Sequence, residues 1–233
     1  AAALFGKATA CAPDSPGASN RLGYALLAAG RAEEAAACFR RALSLSPANP
    51  EAANNLAKAF RDLGNAPAAL NWYDRCLRLD PENPRFRFNR AAVLLLSGDF
   101  KNGWEEFDWR LRLRDDPSAR PPLAPGIPIW NGSFAGGKSL MVAAEQGYGD
   151  TIQFARYLQM LSSFGFRRIS LCCPMPLHRL MSTASGLDPA AVSSTVDPAA
   201  DLHVPIMSLP PIFGTRPDTI PGDVPYFRID DRT

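Results

Sequence analysis

Two stretches of this chain combine residue types at spacings that chemistry requires. In Glu145-Gln146-Gly147-Tyr148-Gly149-Asp150-Thr151-Ile152-Gln153, two glycines and an acidic residue follow the apolar run Leu140 to Ala144, which is short enough to be a buried strand. Phe154, Tyr157, Leu158, Leu161 and Phe164 then recur at the spacing of one helix face, so strand, glycine turn and a helix over 150–164 are predicted. Ligands of open α/β sheets bind beyond the carboxyl ends of the strands. Gly147 and Gly149 let the backbone approach a ligand with φ values that other residues resist. Asp150-Thr-Ile-Gln153 reads as a capping box, with Asp150 at the helix cap and Gln153 reaching back to it.

The second stretch, Gly132-Ser-Phe-Ala-Gly-Gly137-Lys138-Ser139, fits the string of a phosphate-binding loop. That chemistry needs a strand before the loop and a helix after it, so that backbone N–H groups converge on phosphate. Here Pro-Gly-Ile-Pro-Ile-Trp precedes it and the apolar run from Leu140 follows, so a turn entering a strand is expected. Other candidates are few. His203, in Asp-Leu-His-Val-Pro, lies on an expected strand and reads as a core histidine or a ligand contact. The five cysteines form no C-x-x-C pair and have no histidines at ligand spacing, so no metal site is expected and a reducing, cytoplasmic setting is.

Composition narrows the classes. With 46% hydrophobic and 21% charged residues among 233, the chain is globular, and a net charge of +2 with mixed signs gives no nucleic-acid footprint. The longest apolar runs, such as Ala91 to Leu96, fall far short of the ~20 residues of a transmembrane helix. The start, without Met or a basic segment, reads as a cut end.

The elements that must position these residues divide into two kinds. Leu22-Gly23, Leu26, Gly30, Ala35, Phe39, Ala42 and Pro47 return 34 residues later as Leu56-Ala57, Phe60, Gly64, Ala69, Tyr73, Cys76 and Pro81. A third unit has Ala91, Leu94, Gly98, Gly103 and Phe107, with its stop shifted to Pro117, and Phe5, Ala8 and Pro13 fit the end of an earlier unit. The register gives a half unit at 1–15 and units at 16–49, 50–83 and 84–117, so the natural protein is expected to extend upstream. This pattern resembles the tetratricopeptide repeat, which implies an α-solenoid of helix pairs whose first helices line a groove for a protein or peptide. Asn20, Asn54, Asn55 and Asn89 fall on those first helices. They are either a ladder of amides for a peptide backbone, similar to that of the O-linked N-acetylglucosamine transferases, or solvated polar positions.

Seven of the 22 prolines precede residue 117 and 15 lie from there on, marking a Pro-rich linker at 118–137. Trp104, Phe107, Trp109 and Trp130 around it are expected to pack rather than to form a cofactor box. Beyond it, strands at Leu140–Ala144, Ile169–Cys173, Ala191–Thr195 and Leu202–Ile206, with a short helix at Pro176–Thr183, give a parallel α/β domain over 138–233. Trp130-Asn-Gly, Glu145-Gln-Gly-Tyr-Gly-Asp-Thr-Ile-Gln-Phe-Ala-Arg-Tyr, Asp201-Leu-His-Val-Pro-Ile-Met-Ser-Leu-Pro and Val224-Pro-Tyr are similar to bacterial tetratricopeptide proteins with a glycosyltransferase domain related to the lipopolysaccharide heptosyltransferases.

That resemblance implies a Rossmann-like domain, the acceptor-side half of a GT-B fold, in a chain that stops before its donor-binding half. It implies an inverting transferase acting on a sugar acceptor. Asp150 is then the base, Gly147 and Gly149 the close backbone, and Glu145, Gln146, Arg156 and His203 candidate acceptor contacts. Glu145 and Gln146 would hydrogen-bond a sugar or brace the turn. No cofactor is implied for this chain; a nucleotide-sugar donor is expected in the full-length protein. The alternative is a non-catalytic scaffold for protein–protein interaction.

Overall fold

The computed structural model describes residues 14–113, 126–145 and 147–228. The expected half unit at 1–15, apart from its last two residues, the first part of the Pro-rich linker and Gln146 lie outside the described residues. The chain forms two compact units, which divide between Trp109 and Arg110.

The first unit is three antiparallel helix pairs: α1 (Pro16–Ala28) with α2 (Ala32–Leu45), α3 (Pro50–Asp62) with α4 (Ala66–Leu79), and α5 (Pro84–Leu96) with α6 (Phe100–Phe107). Every first helix opens alike. Side chains of Ser15, Asn49 and Asn83 accept hydrogen bonds from the N–H groups of Ala18 (3.2 Å), Ala52 (3.0 Å) and Phe86 (3.3 Å). Pro16, Pro50 and Pro84 follow at the first turn, where a missing N–H is harmless. Gly30, Gly64 and Gly98 turn the chain into each second helix at φ of 76°, 73° and 84°, left-handed values that side chains disfavour.

Small residues set the distance within a pair. A Cβ placed on Gly23 would stand 2.6 Å from the Phe39 ring. Ala57 and Ala91 hold the place of Gly23 in the later units, and Tyr73 and Phe107 that of Phe39; of these, Phe39, Tyr73, Ala57 and Ala91 are fully buried. Each second helix packs on its own partner, α2 and α4 also pack on the next first helix, and α3 touches both α1 and α5. The last helix is short and tightens into a 3₁₀ turn at Asp108–Arg112; the expected stop at Pro117 lies outside the described residues. Its rings pack locally, with Phe107 edge-on to Phe88 and Trp104, and Arg87 standing 4.4 Å over Trp109.

The second unit is built on a four-stranded parallel sheet of order β3-β2-β1-β4, from β1 (Ser139–Ala143), β2 (Arg168–Cys172), β3 (Val192–Ser193) and β4 (Leu202–Pro205). β1 is central and buried along its whole length, as a strand covered on both faces must be. The expected helix at 150–164 is instead α7 (Tyr148–Phe154) followed by a 3₁₀ segment to Phe164, which buries Tyr157, Leu158 and Leu161 and ends at left-handed Gly165. The expected helix at Pro176–Thr183 shortens to a 3₁₀ turn and α8 (His178–Met181), and α9 (Leu209–Ile212) follows β4. Trp130 packs edge-on against Phe164 and Phe166. Among the described residues no helix is long and apolar enough to cross a membrane.

The phosphate-loop string is a turn entering a strand. Gly136 and Gly137 take positive φ and Ser139 opens β1, its hydroxyl donating to the Asp201 carboxylate at 2.8 Å. A strand in place of the helix leaves no converging N–H groups for a phosphate.

Because the Phe39 ring fills the space over Gly23, Gly23→Ala should lower unfolding free energy by about 1–3 kcal/mol despite its higher helix propensity, measured by denaturant melts. An unchanged or raised midpoint would show that the pair can open by a few tenths of an ångström without loss.

Candidate functional site

In the second unit, the candidate residues collect where β1 and β4 end. The chain runs outward from β1 to β3 on one side and returns with β4 on the other, so the strand order reverses between β1 and β4, the place where parallel sheets open a ligand crevice. In this molecule the chain's own groups fill it. Glu145, two residues past β1, has a fully buried side chain whose oxygens accept from Arg110 Nη2 at 2.7 Å and Nε at 3.1 Å. The Met207 N–H donates to the same carboxylate at 3.1 Å, and Arg110 Nη2 donates to Ser208 Oγ at 2.9 Å. Glu145 thus braces the turn, with both oxygens engaged and shielded from solvent.

The glycine turn departs from expectation. Gly147, not Asp150, is the cap residue of α7, with φ −79°, and Gly149 lies inside the first turn; neither has positive φ. The proposed capping box is absent, because the helix starts at Tyr148, before Asp150, and no side chain caps it. The Thr151 N–H and hydroxyl both donate to the Gly147 carbonyl instead, at 3.2 and 3.3 Å. Asp150, half-buried in the first turn, makes no hydrogen bond or ion pair among the described residues.

Arg156 is engaged by its own unit. It donates to the carbonyls of Gln153 (2.9 Å) and Pro221 (3.4 Å) and stands 5.2 Å over the Tyr226 ring. His203 is buried on β4, its backbone paired with Pro128 and Trp130 and both ring nitrogens short of hydrogen-bond geometry. Burial pushes its imidazole pKa down, and the carbonyls of Ile127 and Pro128 offset this only in part. Among the described residues no three of His, Cys, Asp and Glu gather as a metal site.

In the first unit the asparagines face one another. Asn89 donates to Asn54 (2.9 Å), Asn54 to Asn55 (3.4 Å) and Asn55 to Asn20 (3.1 Å). Asn54 and Asn55 are buried, at 2% and 7% exposure, so the ladder neither offers its central amides to a peptide nor solvates them. It ties α1, α3 and α5 together, and two otherwise costly buried amides satisfy each other.

What these first helices leave open is a stripe. On α3 every residue from Ala52 to Ala57 is buried, and solvent is reached at Glu51, Lys58, Arg61 and Asp62, the spacing of one helix face. Tyr24, 58% exposed, and Ala92 hold the repeat position of Lys58 on α1 and α5. Lys58 was not singled out from the sequence; the signal was available in the 34-residue register, where it is the one charge at that position.

The family model of the tetratricopeptide repeat matches residues 26–87, across the first two helix pairs and into the third. The chain carries tetratricopeptide repeats. A curated relative, Protein FlbA of Caulobacter vibrioides, is 39% identical over 74 residues, which is 31% of this chain and 12% of FlbA; the chain therefore spans only a small part of that relative. Solved tetratricopeptide-like structures include MamA from Desulfovibrio magneticus RS-1, at 21% identity and a TM-score of 0.45 over 49% of this chain and 67% of that one. Another is the Yersinia enterocolitica type III secretion chaperone SycD in complex with a peptide of the translocator YopD, at 20% identity and a TM-score of 0.39 over 42% of this chain and 76% of that one.

His203 provides a pH test. A folded pKa below the ordinary value of about 6.5 means the unfolded state takes up a proton first, so stability is flat above that pH and falls as pH drops through it. Denaturant melts between pH 7.5 and 5 should show this decline, and His203→Gln should flatten it. An equal slope in the variant would assign the acid sensitivity elsewhere.

Proposed function

We propose that this protein is a tetratricopeptide interaction scaffold that holds an extended protein segment against the open stripe of α1, α3 and α5. The observation that carries this reading is the stripe itself: three adjacent helices, bound to one another by the asparagine chain, with Tyr24, Lys58 and Ala92 level across them. A rigid row of helix faces offers alternate pockets to an extended chain without folding cost on the protein side. Ala92→Trp, a large ring on a half-buried position of that stripe, should weaken the binding of display-selected dodecapeptides at least tenfold in fluorescence anisotropy, with the thermal midpoint little changed. Unaltered affinity would place the contact surface away from these helices.

A second reading takes the sheet unit as the acceptor side of a Rossmann-like glycosyltransferase. Two observations favour it: the all-parallel order β3-β2-β1-β4, and an Asp150 carboxylate beyond β1 with no partner among the described residues. Asp150 would take the acceptor hydroxyl proton, while the nucleotide-sugar donor would be held by a second α/β half of the full-length protein. In that protein Asp150→Asn should slow nucleotide release from a sugar-nucleotide donor by roughly 10²-fold or more, as loss of a general base does. A rate equal to wild type would remove the base assignment and leave the scaffold reading alone.

A further inference from the structure

The α3 part of the stripe carries both signs, Glu51 and Asp62 against Lys58 and Arg61, and its pairing is uneven. Arg61 is committed to Asp62, with Nη2 and Nε donating to Oδ1 at 2.8 and 3.0 Å. Lys58, one turn before Arg61, is half-buried and makes no hydrogen bond or ion pair among the described residues. Arg85, exposed on α5, has no side-chain partner among them either. Burial lowers the Lys58 pKa first and the Arg61 cation next; Asp62 pulls the other way, and Arg85 and Glu51 add smaller pushes of opposite sign. A partly desolvated ammonium that no carboxylate touches gains more from a bonded carboxylate than a solvated lysine does, since part of its hydration is already lost.

We propose that the occupant of the stripe is an acidic peptide segment, with one Asp or Glu carboxylate paired to Lys58. This rests on the scaffold reading above and names its partner class. The flanking carboxylates of Glu51 and Asp62 limit the site to about one negative charge, because a run of phosphates would meet them on either side. Next to the charge, the Tyr24 ring at the same repeat position of α1 supplies exposed apolar surface, 58% accessible. Packed helices lie about 8–10 Å apart and an extended chain advances about 3.3 Å per residue, so an apolar side chain against Tyr24 belongs roughly three residues from the acidic one.

The experiment is a selection of random dodecapeptides displayed on phage, run in parallel on the wild-type chain, Lys58→Glu and Lys58→Gln, each first checked by circular dichroism. Wild type should enrich an Asp or Glu about three positions from an aromatic or aliphatic residue. Lys58→Glu should exchange that acid for Lys or Arg, and Lys58→Gln should bind the wild-type consensus about tenfold more weakly, with no new charge preference. If Lys58→Glu fails to fold, the glutamine variant and the salt dependence of the consensus peptide decide alone. The same peptides recovered with equal affinity on all three chains would overturn the charge assignment while leaving the scaffold reading standing. No enrichment on wild type would overturn both.

Discussion

The repeat half of this protein depends on how closely the two helices of a pair can approach. At Gly23 the approach is so tight that the ring of Phe39 occupies the volume of a side chain, and the later units reproduce the arrangement with alanine under Tyr73 and Phe107. Fixing that distance fixes the direction of each pair, and the next first helix must then pack in the same way against the second helix before it. The polar consequence is the asparagine chain. Asn20 and Asn54 share one repeat position and Asn55 and Asn89 the next, yet the bonded pairs are 35 residues apart, because each amide meets the neighbouring position of the following unit.

In the sheet half the governing interaction is ionic. A crevice between β1 and β4 would leave strand-end groups facing a void; here the Arg110 guanidinium lies flat against the Glu145 carboxylate with two hydrogen bonds, and Ser208 and the Met207 N–H complete the set. A buried pair of this kind is not a large net stabiliser, but removing one member strands a charge, so it specifies a single arrangement of the loops after β1 and β4.

Legibility in the sequence followed the strength of the periodic signal. The helix pairs were readable because Ser/Asn-Pro starts, small residues and turn glycines recur together at 34 residues, and the strands at 139, 168 and 202 were readable within a residue because each is a short apolar run. The start of α7 was misread because Asp150 makes a good cap on paper, whereas the peptide after Gly147 already enters the helix and a glycine caps adequately. Glu145 looked like a ligand residue because its partner, Arg110, is 35 residues away in sequence, and no local pattern announces such a pair. The asparagines were located correctly on the first helices, but whether their amides point outward or toward each other depends on the rotation of one helix past the next.

If the repeats act as the scaffold proposed above, selectivity must lie in the exceptions to the repeat. Positions that hold the pairs together, such as Ala57 and Ala91, are interchangeable between units and carry no information about a partner. The row Tyr24, Lys58, Ala92 is the opposite: an aromatic ring, a cation and a methyl at one structural position. In the proposed scaffold, an extended segment crossing that row would meet three different chemistries in a fixed order, which would set its direction and register. The asparagine chain underneath ties the three helices together, a role that buried, mutually bonded amides fulfil better than solvated ones.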